Sequence, residues 1–167
     1  LDLSSAASGV VQQLLVKEGQ SVQKGQPVLR LADDAARADL AVAESELQLA
    51  QTKLKTRQDR LPALKATLTR WQAAAKQGAA DLQSVDEAVQ ALRDAQSEVD
   101  IAAAEVTVAK RKAEQLRALL QRHELRAPEA AVVVRLQAQG GSMLQSGSPV
   151  AVLLPKRPFI VRAEVNE

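Results

Sequence analysis

Adjacent acidic residues are the first candidates for catalysis in this chain of 167 residues. Asp33 lies next to Asp34, and Asp86 next to Glu87, in segments predicted to be helical. Successive helical residues point about 100° apart, so neither pair can place two carboxylates on one reacting atom as acid and base. The sequence also lacks the pattern of a Ser-His-Asp triad or of a phosphate-binding loop. We therefore expect that the protein is not an enzyme.

Metal and cofactor sites are equally unsupported by the residue types. His123 is the single histidine, Met143 is the single methionine, and cysteine is absent. Copper and silver sites need several thiolate, thioether or imidazole ligands, so neither residue alone predicts one. We expect no bound metal and no cofactor.

Composition favours long helices and disfavours nucleic-acid binding. The 22 Lys and Arg nearly balance the 20 Asp and Glu, aromatic residues make up 1%, and alanine and leucine dominate. A near-neutral chain without basic residues interleaved with aromatics lacks the footprint of a nucleic-acid-binding protein. No apolar run approaches the ~20 residues that span a bilayer.

Two copies of one sequence pattern lie near the ends of the chain, and they predict the strands that must position any functional residues. "GVVQQLLVKEGQSVQKGQPVLRL" (9–31) aligns without a gap to residues 131–153, with nine identities in 23 positions. The residues are β-branched and apolar, and the paired glycines Gly19 with Gly141 and Gly25 with Gly147 predict turns. Two copies are too few for a solenoid. We predict strands that form two halves of one β-domain.

Between the copies, apolar residues repeat every seven positions. Leucine recurs at Leu40, Leu47, Leu54, Leu61 and Leu68, and the residues three further on are Ala43, Ala50, Arg57, Leu64 and Trp71. A second series contains Leu82, Val85, Val89, Leu92, Ala95, Val99, Ala102, Val106, Ala109, Ala113, Leu116 and Leu120. Such a pattern predicts two helices packed along apolar seams, with Trp71 in the core. Pro62 predicts a bend or local unwinding of the first arm.

The segment "KQGAAD" interrupts the heptads. Gly78 is a typical residue just after a helix C-terminus, and Asp81 is a typical N-cap. We expect arms at about 34–77 and 81–122 with a tip at 76–81, and so short a connection makes the arms antiparallel. The fold class is α+β: residues 1–32 and 124–155 form one β-sandwich, interrupted by an α-helical hairpin at 33–123.

This arrangement resembles the HlyD-like membrane fusion proteins, or periplasmic adaptor proteins. The resemblance rests on "SGVVQQLLVKEGQSVQKGQPVLRL", on "ELRAPEAAVVVRLQAQGGSMLQSGSPVAVLL" and on the heptads between them. It implies a lipoyl-type domain (a barrel-sandwich hybrid) split by a coiled-coil hairpin. "RPFIVRAEVNE" looks like the first strand of the following β-barrel domain of that family, so 156–167 is expected to begin it.

The resemblance also implies a function and partners. Such adaptors link an inner-membrane transporter of ABC, RND or MFS type to a TolC-type outer-membrane channel, in tripartite efflux pumps or type I secretion systems. They work as homo-oligomers, usually hexamers, in the periplasm, anchored to the inner membrane through a segment that this chain does not include.

The family pattern gives the tip residues that are expected to contact the channel. It consists of an arginine, a leucine four residues later and a serine seven residues after the leucine. Here these positions are Arg70, Ala74 and Asp81, so only the arginine matches. Asp81 keeps the capping chemistry of serine and adds a charge, whereas Ala74 removes most of an apolar anchor. Gln77 and Gly78 complete the expected contact set.

Two alternative functions stay open. The heptads alone fit a structural coiled-coil scaffold arm, which has no need of a split β-repeat. A lipoyl or biotinyl carrier domain would present a modified lysine in the turn between the two halves, in a Met-Lys-Met or Asp-Lys-Ala setting that is absent here.

Overall fold

The computed structural model describes residues 1–156 of the chain. The eight strands are β1 (Asp2–Ser4), β2 (Gly9–Leu14), β3 (Ser21–Val22), β4 (Pro27–Leu31), β5 (Glu124–Arg126), β6 (Ala131–Leu136), β7 (Met143–Leu144) and β8 (Pro149–Pro155). The two helices are α1 (Asp34–Lys76) and α2 (Leu82–Gln121). The segment "RPFIVRAEVNE", expected to begin a further domain, lies outside the described residues.

The chain divides into two compact units. One, here called the β-domain, contains Leu1–Ala36 and the described residues from Ala118 onward. The other, here called the hairpin, is Arg37–Arg117. No helix within the described residues is long and apolar enough to cross a bilayer.

The β-domain has an internal twofold pattern that follows the sequence repeat. Its two four-stranded sheets have the orders β1-β8-β6-β3 and β5-β4-β2-β7. Exchanging each strand for its counterpart in the other copy of the repeat converts one order into the other. Each sheet therefore contains strands from both ends of the chain, and neither copy of the repeat can form its sheet alone.

One apolar core joins the two halves. Its fully buried side chains of largest volume are Leu29, Leu31, Leu153, Val11, Val28, Val133 and Val150. Val11 in β2 and its counterpart Val133 in β6 are each no more than 1% exposed. Residues 9–31 and 131–153 thus share one interior, which confirms the predicted α+β class with a β-sandwich assembled from two halves.

The hairpin buries alanine and valine along the predicted seams. The residues below a tenth exposure are Ala43, Ala50, Ala95, Val99, Ala102 and Ala113. The seam leucines between them, such as Leu47 and Leu54, are partly buried. Small residues fill the space between the two helices, so the hairpin holds together without an aromatic core. α1 stays helical through Pro62, so the helix is not unwound there, and the other expected outcome, a bend, stays a prediction.

Ion pairs join the two arms and show that they run antiparallel. Arg57 Nη1 lies 2.8 Å from Glu98 Oε2, and Lys112 Nζ lies 2.6 Å from Glu46 Oε2. Arg117 Nη2 and Glu44 Oε1 are 2.5 Å apart. As the α1 partner number falls, the α2 partner number rises, which is the signature of an antiparallel pair.

Three seam positions differ from the expectation. Trp71 is 40% exposed and Leu82 is 77% exposed, so neither belongs to the core. Both lie within a few residues of the tip, Trp71 in the second-to-last turn of α1 and Leu82 at the first residue of α2. Arg57, at an apolar heptad position, is exposed and reaches sideways to Glu98.

Candidate docking tip of the helical hairpin

The tip begins with a Schellman turn at the end of α1. The Ala79 amide donates to the Ala74 carbonyl over 2.9 Å, and the Gly78 amide donates to the Ala75 carbonyl over 3.0 Å. Gly78 has a φ of 71°, in the left-handed region that glycine adopts without steric cost. These bonds satisfy carbonyl groups that the helix end leaves free, and they fix the path of the turn.

The tip ends with a capped start of α2. Asp81 Oδ1 accepts a 2.9 Å hydrogen bond from the Ser84 amide and a 2.6 Å bond from the Ser84 hydroxyl. The hydroxyl bond, followed by the amide bond, lowers the pKa of the Asp81 carboxyl from its usual value. Asp81 is therefore a working N-cap that holds a negative charge at neutral pH on the surface of the tip.

Arg70 and Ala74 line one shallow groove on α1. The groove has a volume of about 380 Å³ and is lined by Thr67, Arg70, Trp71 and Ala74. Arg70 Nη2 donates to Thr67 Oγ1 over 3.2 Å, and Thr67 Oγ1 donates to the Ala63 carbonyl over 3.0 Å. The guanidinium is thus steered along the helix by its neighbour one turn earlier while it stays exposed.

The structure arranges the five expected site residues in two groups. Arg70 and Ala74 share the groove, and Ala74 is partly buried. Gln77 and Gly78 form the turn, Asp81 caps the start of α2, and all three are exposed. The tip surface therefore offers a cation, an anion and exposed backbone within a few residues of chain.

Trp71 is a groove residue that the heptad pattern assigned to the core. Trp71 is 40% exposed and is the one aromatic side chain that lines the groove. Aromatic and arginine side chains supply most of the binding energy in many protein interfaces, so a Trp beside an Arg is a suitable contact pair. The signal that could have identified it is its distance of only seven residues from Gly78, beyond the last leucine of the seam.

The hairpin and β-domain hold no cluster of metal-binding side chains in the described part of the chain. No group of three or more His, Cys, Asp and Glu residues there could hold a metal ion. His123 Nδ1 lies 3.1 Å from the Leu119 carbonyl, a local contact at the end of α2. Met143, in the short strand β7, is 68% exposed.

Comparisons with known proteins identify the fold. No family model matches the sequence, and no curated protein matches it. MacA from Actinobacillus actinomycetemcomitans superimposes with a TM-score of 0.79 and 20% identity, over 92% of this chain and 48% of MacA. ZneB from Cupriavidus metallidurans gives a TM-score of 0.58 and 21% identity, over 93% of this chain and 60% of ZneB.

The chain spans less than two thirds of either protein, and the part it spans contains both the split β-domain and the hairpin. The expectation drawn from the two half-motifs and the heptads is confirmed for the architecture. The chain has the fold of HlyD-like membrane fusion proteins, a lipoyl-type β-domain interrupted by an antiparallel helical hairpin.

Proposed function

We propose that this chain is the central part of a periplasmic adaptor of a tripartite efflux pump or a type I secretion system. The adaptor links an inner-membrane transporter to a TolC-type outer-membrane channel and docks on the channel through the hairpin tip. In its full-length form it acts as a homo-oligomer, a hexamer, attached to the inner membrane. The observation that carries the proposal is the closure of two distant half-domains around one core, with a hairpin of two helices of 43 and 40 residues between them.

The placement of the hairpin supports an adaptor over a carrier domain. β4 ends at Leu31 and β5 begins at Glu124, so the two long helices occupy the link where a lipoyl or biotinyl carrier keeps its modified lysine. A scaffold arm accounts for the heptads, yet it gives no reason for the twofold β-domain. The adaptor function uses both parts of the chain.

The tip supports docking by its chemistry. Arg70 and Trp71 lie side by side on an exposed groove, and Asp81 adds a charge at the start of α2. The Schellman turn and the N-cap hold these side chains on a rigid frame, which lowers the entropy lost on binding. We assign channel contact to Arg70, Ala74, Gln77, Gly78 and Asp81, with Trp71 added.

A crosslinking experiment tests the docking surface. The chain has no cysteine, so single cysteines can be introduced without background. The Gln77→Cys chain carries its cysteine in the tip turn. The Gln51→Cys chain is the matched control, with its cysteine at an exposed position in the middle of α1. In cells, a reagent that joins a thiol to an amine should capture the outer-membrane channel from the Gln77→Cys chain and not from the Gln51→Cys chain. Capture from the mid-arm position alone would refute tip docking.

A further inference from the structure

Halfway along α1, the hairpin has a groove whose lining is basic. The groove, here called the arm groove, has a volume of about 360 Å³ and is lined by Thr52, Lys53, Thr56, Arg57, Arg60 and Glu98. It shares no lining residue with the groove at the tip. Arg60 lies sixteen residues, or about 24 Å of helical rise, before the end of α1 at Lys76. The tip docking proposed above leaves the arm groove without a role.

Three cations line the arm groove, and one acid does. Lys53 and Arg57 are four residues apart, and Arg57 and Arg60 are three apart, so the three side chains are neighbours on the surface of α1. Glu98 Oε2, on α2, lies 2.8 Å from Arg57 Nη1. Within residues 1–156, Lys53 and Arg60 have no ion-pair partner. Three cations and one anion give the lining a formal net charge of +2.

The position of Arg57 prepares the arm groove for an anion. The ion pair with Glu98 holds the guanidinium in place, so less side-chain entropy is lost when a ligand binds. A guanidinium has several N–H donors, and Glu98 accepts from one of them, so the others are available to a ligand. Like charges three and four residues apart repel one another along a helix. An anion between these side chains removes that repulsion and stabilises the hairpin.

The two threonines of the arm groove offer acceptor atoms. Thr52 Oγ1 donates to the Gln48 carbonyl, and Thr56 Oγ1 donates to the Thr52 carbonyl, each over 3.0 Å. Because both hydroxyl hydrogens are engaged along the helix, each oxygen presents lone pairs that can accept a hydrogen bond from a ligand. A ligand that fits the groove therefore combines negative charge for the cations with a hydroxyl group for the threonine oxygens.

We propose that the arm groove binds a phosphate monoester of a hydroxylated molecule, with glycerol phosphate as the simplest example. A phosphate monoester carries a charge of about −1.5 to −2 at neutral pH, which matches the net charge of the lining. The guanidinium groups of Arg57 and Arg60 suit phosphate oxygens, since each can donate two parallel hydrogen bonds, and Lys53 adds a third cation. A hydroxyl group beside the ester donates to a threonine oxygen.

The size of the arm groove fits a small ligand. Its volume of about 360 Å³ lies within the range of about 300–1,000 Å³ that is typical of small-molecule sites. Glycerol phosphate reaches such a site either as a free molecule or as the headgroup of a lysophosphatidic acid. The inference goes beyond channel docking, because none of the lining residues belongs to the tip.

An NMR titration of the isotope-labelled whole chain tests the site. Glycerol 3-phosphate should shift the amide signals of residues 52–60 and leave the signals of the β-domain unchanged. Inorganic sulfate has a similar charge but no hydroxyl group to donate, so it should bind at least about threefold more weakly. Absence of a shift at residues 52–60 would overturn the site. Equal binding of sulfate would overturn the assignment to a hydroxylated phosphate ester.

Two double variants separate this site from a general attraction of anions to a basic helix. The groove variant carries Lys53→Gln and Arg60→Gln, and the control variant carries Lys55→Gln and Lys65→Gln, which are exposed on α1 outside the groove. The groove variant should bind glycerol 3-phosphate at least about tenfold more weakly, and the control variant within about twofold of the wild-type chain. Unchanged amide signals of the tip turn and the β-domain report that both chains are folded. Equal losses in the two variants would overturn the proposal.

Vesicle flotation distinguishes a soluble ligand from a lipid. The wild-type chain is mixed with phosphatidylcholine vesicles that contain lysophosphatidic acid, and with vesicles of phosphatidylcholine alone. Flotation that requires lysophosphatidic acid and is lost in the groove variant would assign the headgroup of a lipid as the ligand. Binding of glycerol 3-phosphate without flotation would assign a soluble ester. Binding to neither probe, or flotation that the groove variant retains in full, would overturn the proposal.

Discussion

The backbone amide of Gly19 donates a 2.7 Å hydrogen bond to the carbonyl of Val133, which belongs to the other copy of the repeat. The equivalent amide, that of Gly141, donates a 2.8 Å bond to the Val11 carbonyl. The φ values are 79° at Gly19 and 82° at Gly141. Each turn therefore fastens its own half to a core strand of the opposite half, and only glycine adopts this conformation without strain.

Replacing Gly141 with alanine should lower the free energy of unfolding of the β-domain by about 1–2 kcal/mol. No atom would lie within 4 Å of the added Cβ, so the loss comes from the positive φ alone. Gly140 is a matched control, because it has no positive φ and the same open space. Urea denaturation of Gly140→Ala should show unchanged or slightly higher stability. Equal losses at both positions would contradict the backbone explanation.

The leucines Leu31 and Leu153, one from each half, are each 1% exposed. Truncation of either to alanine should destabilise the β-domain by about 2–5 kcal/mol, because both removals leave a cavity in the same core. Leu154→Ala, at a position that is 50% exposed, should change stability by less than about 1 kcal/mol. Denaturant midpoints with unchanged slopes would report these differences. A Leu153→Ala protein in which residues 9–31 keep full protection from hydrogen exchange would show that the halves do not share one unfolding unit.

The stability of the hairpin should depend on pH through Asp81. Its pKa is lower in the folded chain than the unfolded value of about 3.9, so its stabilising contribution is present above that value and is lost as pH falls through the folded pKa. Asp81→Ala should lower the melting temperature of the helices near neutral pH, and the difference from wild type should shrink in strong acid. Asp81→Asn keeps a cap acceptor and should retain most of the neutral-pH stability. A penalty that is the same at all pH values would argue against the charged cap.

Removal of Arg70 should separate docking from stability. Its side chain is exposed and makes one 3.2 Å hydrogen bond to the neighbouring Thr67, so Arg70→Ala should change unfolding free energy by less than about 0.5 kcal/mol. Efflux or secretion, and channel capture from the tip, should fall clearly. The melting temperature of the hairpin should be the same in the Arg70→Ala chain as in the wild-type chain. A large drop in melting temperature would identify Arg70 as a structural residue instead.

Trp71 offers a direct optical probe, because it is the only tryptophan in the chain. With 40% of its surface exposed, it should be quenched readily by acrylamide in the free protein. Binding of the channel should protect it and shift its emission to shorter wavelength. Val99→Ala, at a buried seam position, should leave this protection unchanged. Strong shielding of the indole before any partner is added would place Trp71 in the core after all.

The sequence repeat predicted the β-domain well because its pattern depends on local chemistry. Glycines with positive φ, a proline at the start of β4 and β8, and buried valines at equivalent positions all recur at one offset. The strands β1 and β5 obey the same offset, but with three residues each they carry too little periodicity to be recognised. Their placement depends on pairing with β8 and β4, which is a long-range property.

The heptads predicted the hairpin but not where its core ends. Leu47 and Trp71 both fall on the predicted seam, yet Leu47 is partly buried and Trp71 is 40% exposed. Periodicity describes which side of a helix faces its partner, whereas burial also requires that the partner extend past the residue. Leu82, the first residue of α2, lies level with the last residue of α1 and is 77% exposed. The tip surface therefore had to be read from the structure, although its glycine and its cap were visible in the sequence.

Each sheet contains strands from both ends of the chain, and this affects how the β-domain can fold while the chain is being synthesised. While a ribosome is still making α1 and α2, the emerged segment 9–31 can pair β2 with β4 but lacks every strand of the second copy, so no opposite sheet covers Val11 and Leu31. The halves can meet only after Leu153 leaves the exit tunnel, so the first half must remain without its partner and unaggregated for more than a hundred codons. If α1 and α2 pair early, the ends of the hairpin lie side by side and residues 9–31 and 131–153 are brought near each other. The hairpin then lowers the entropy cost of closing the β-domain.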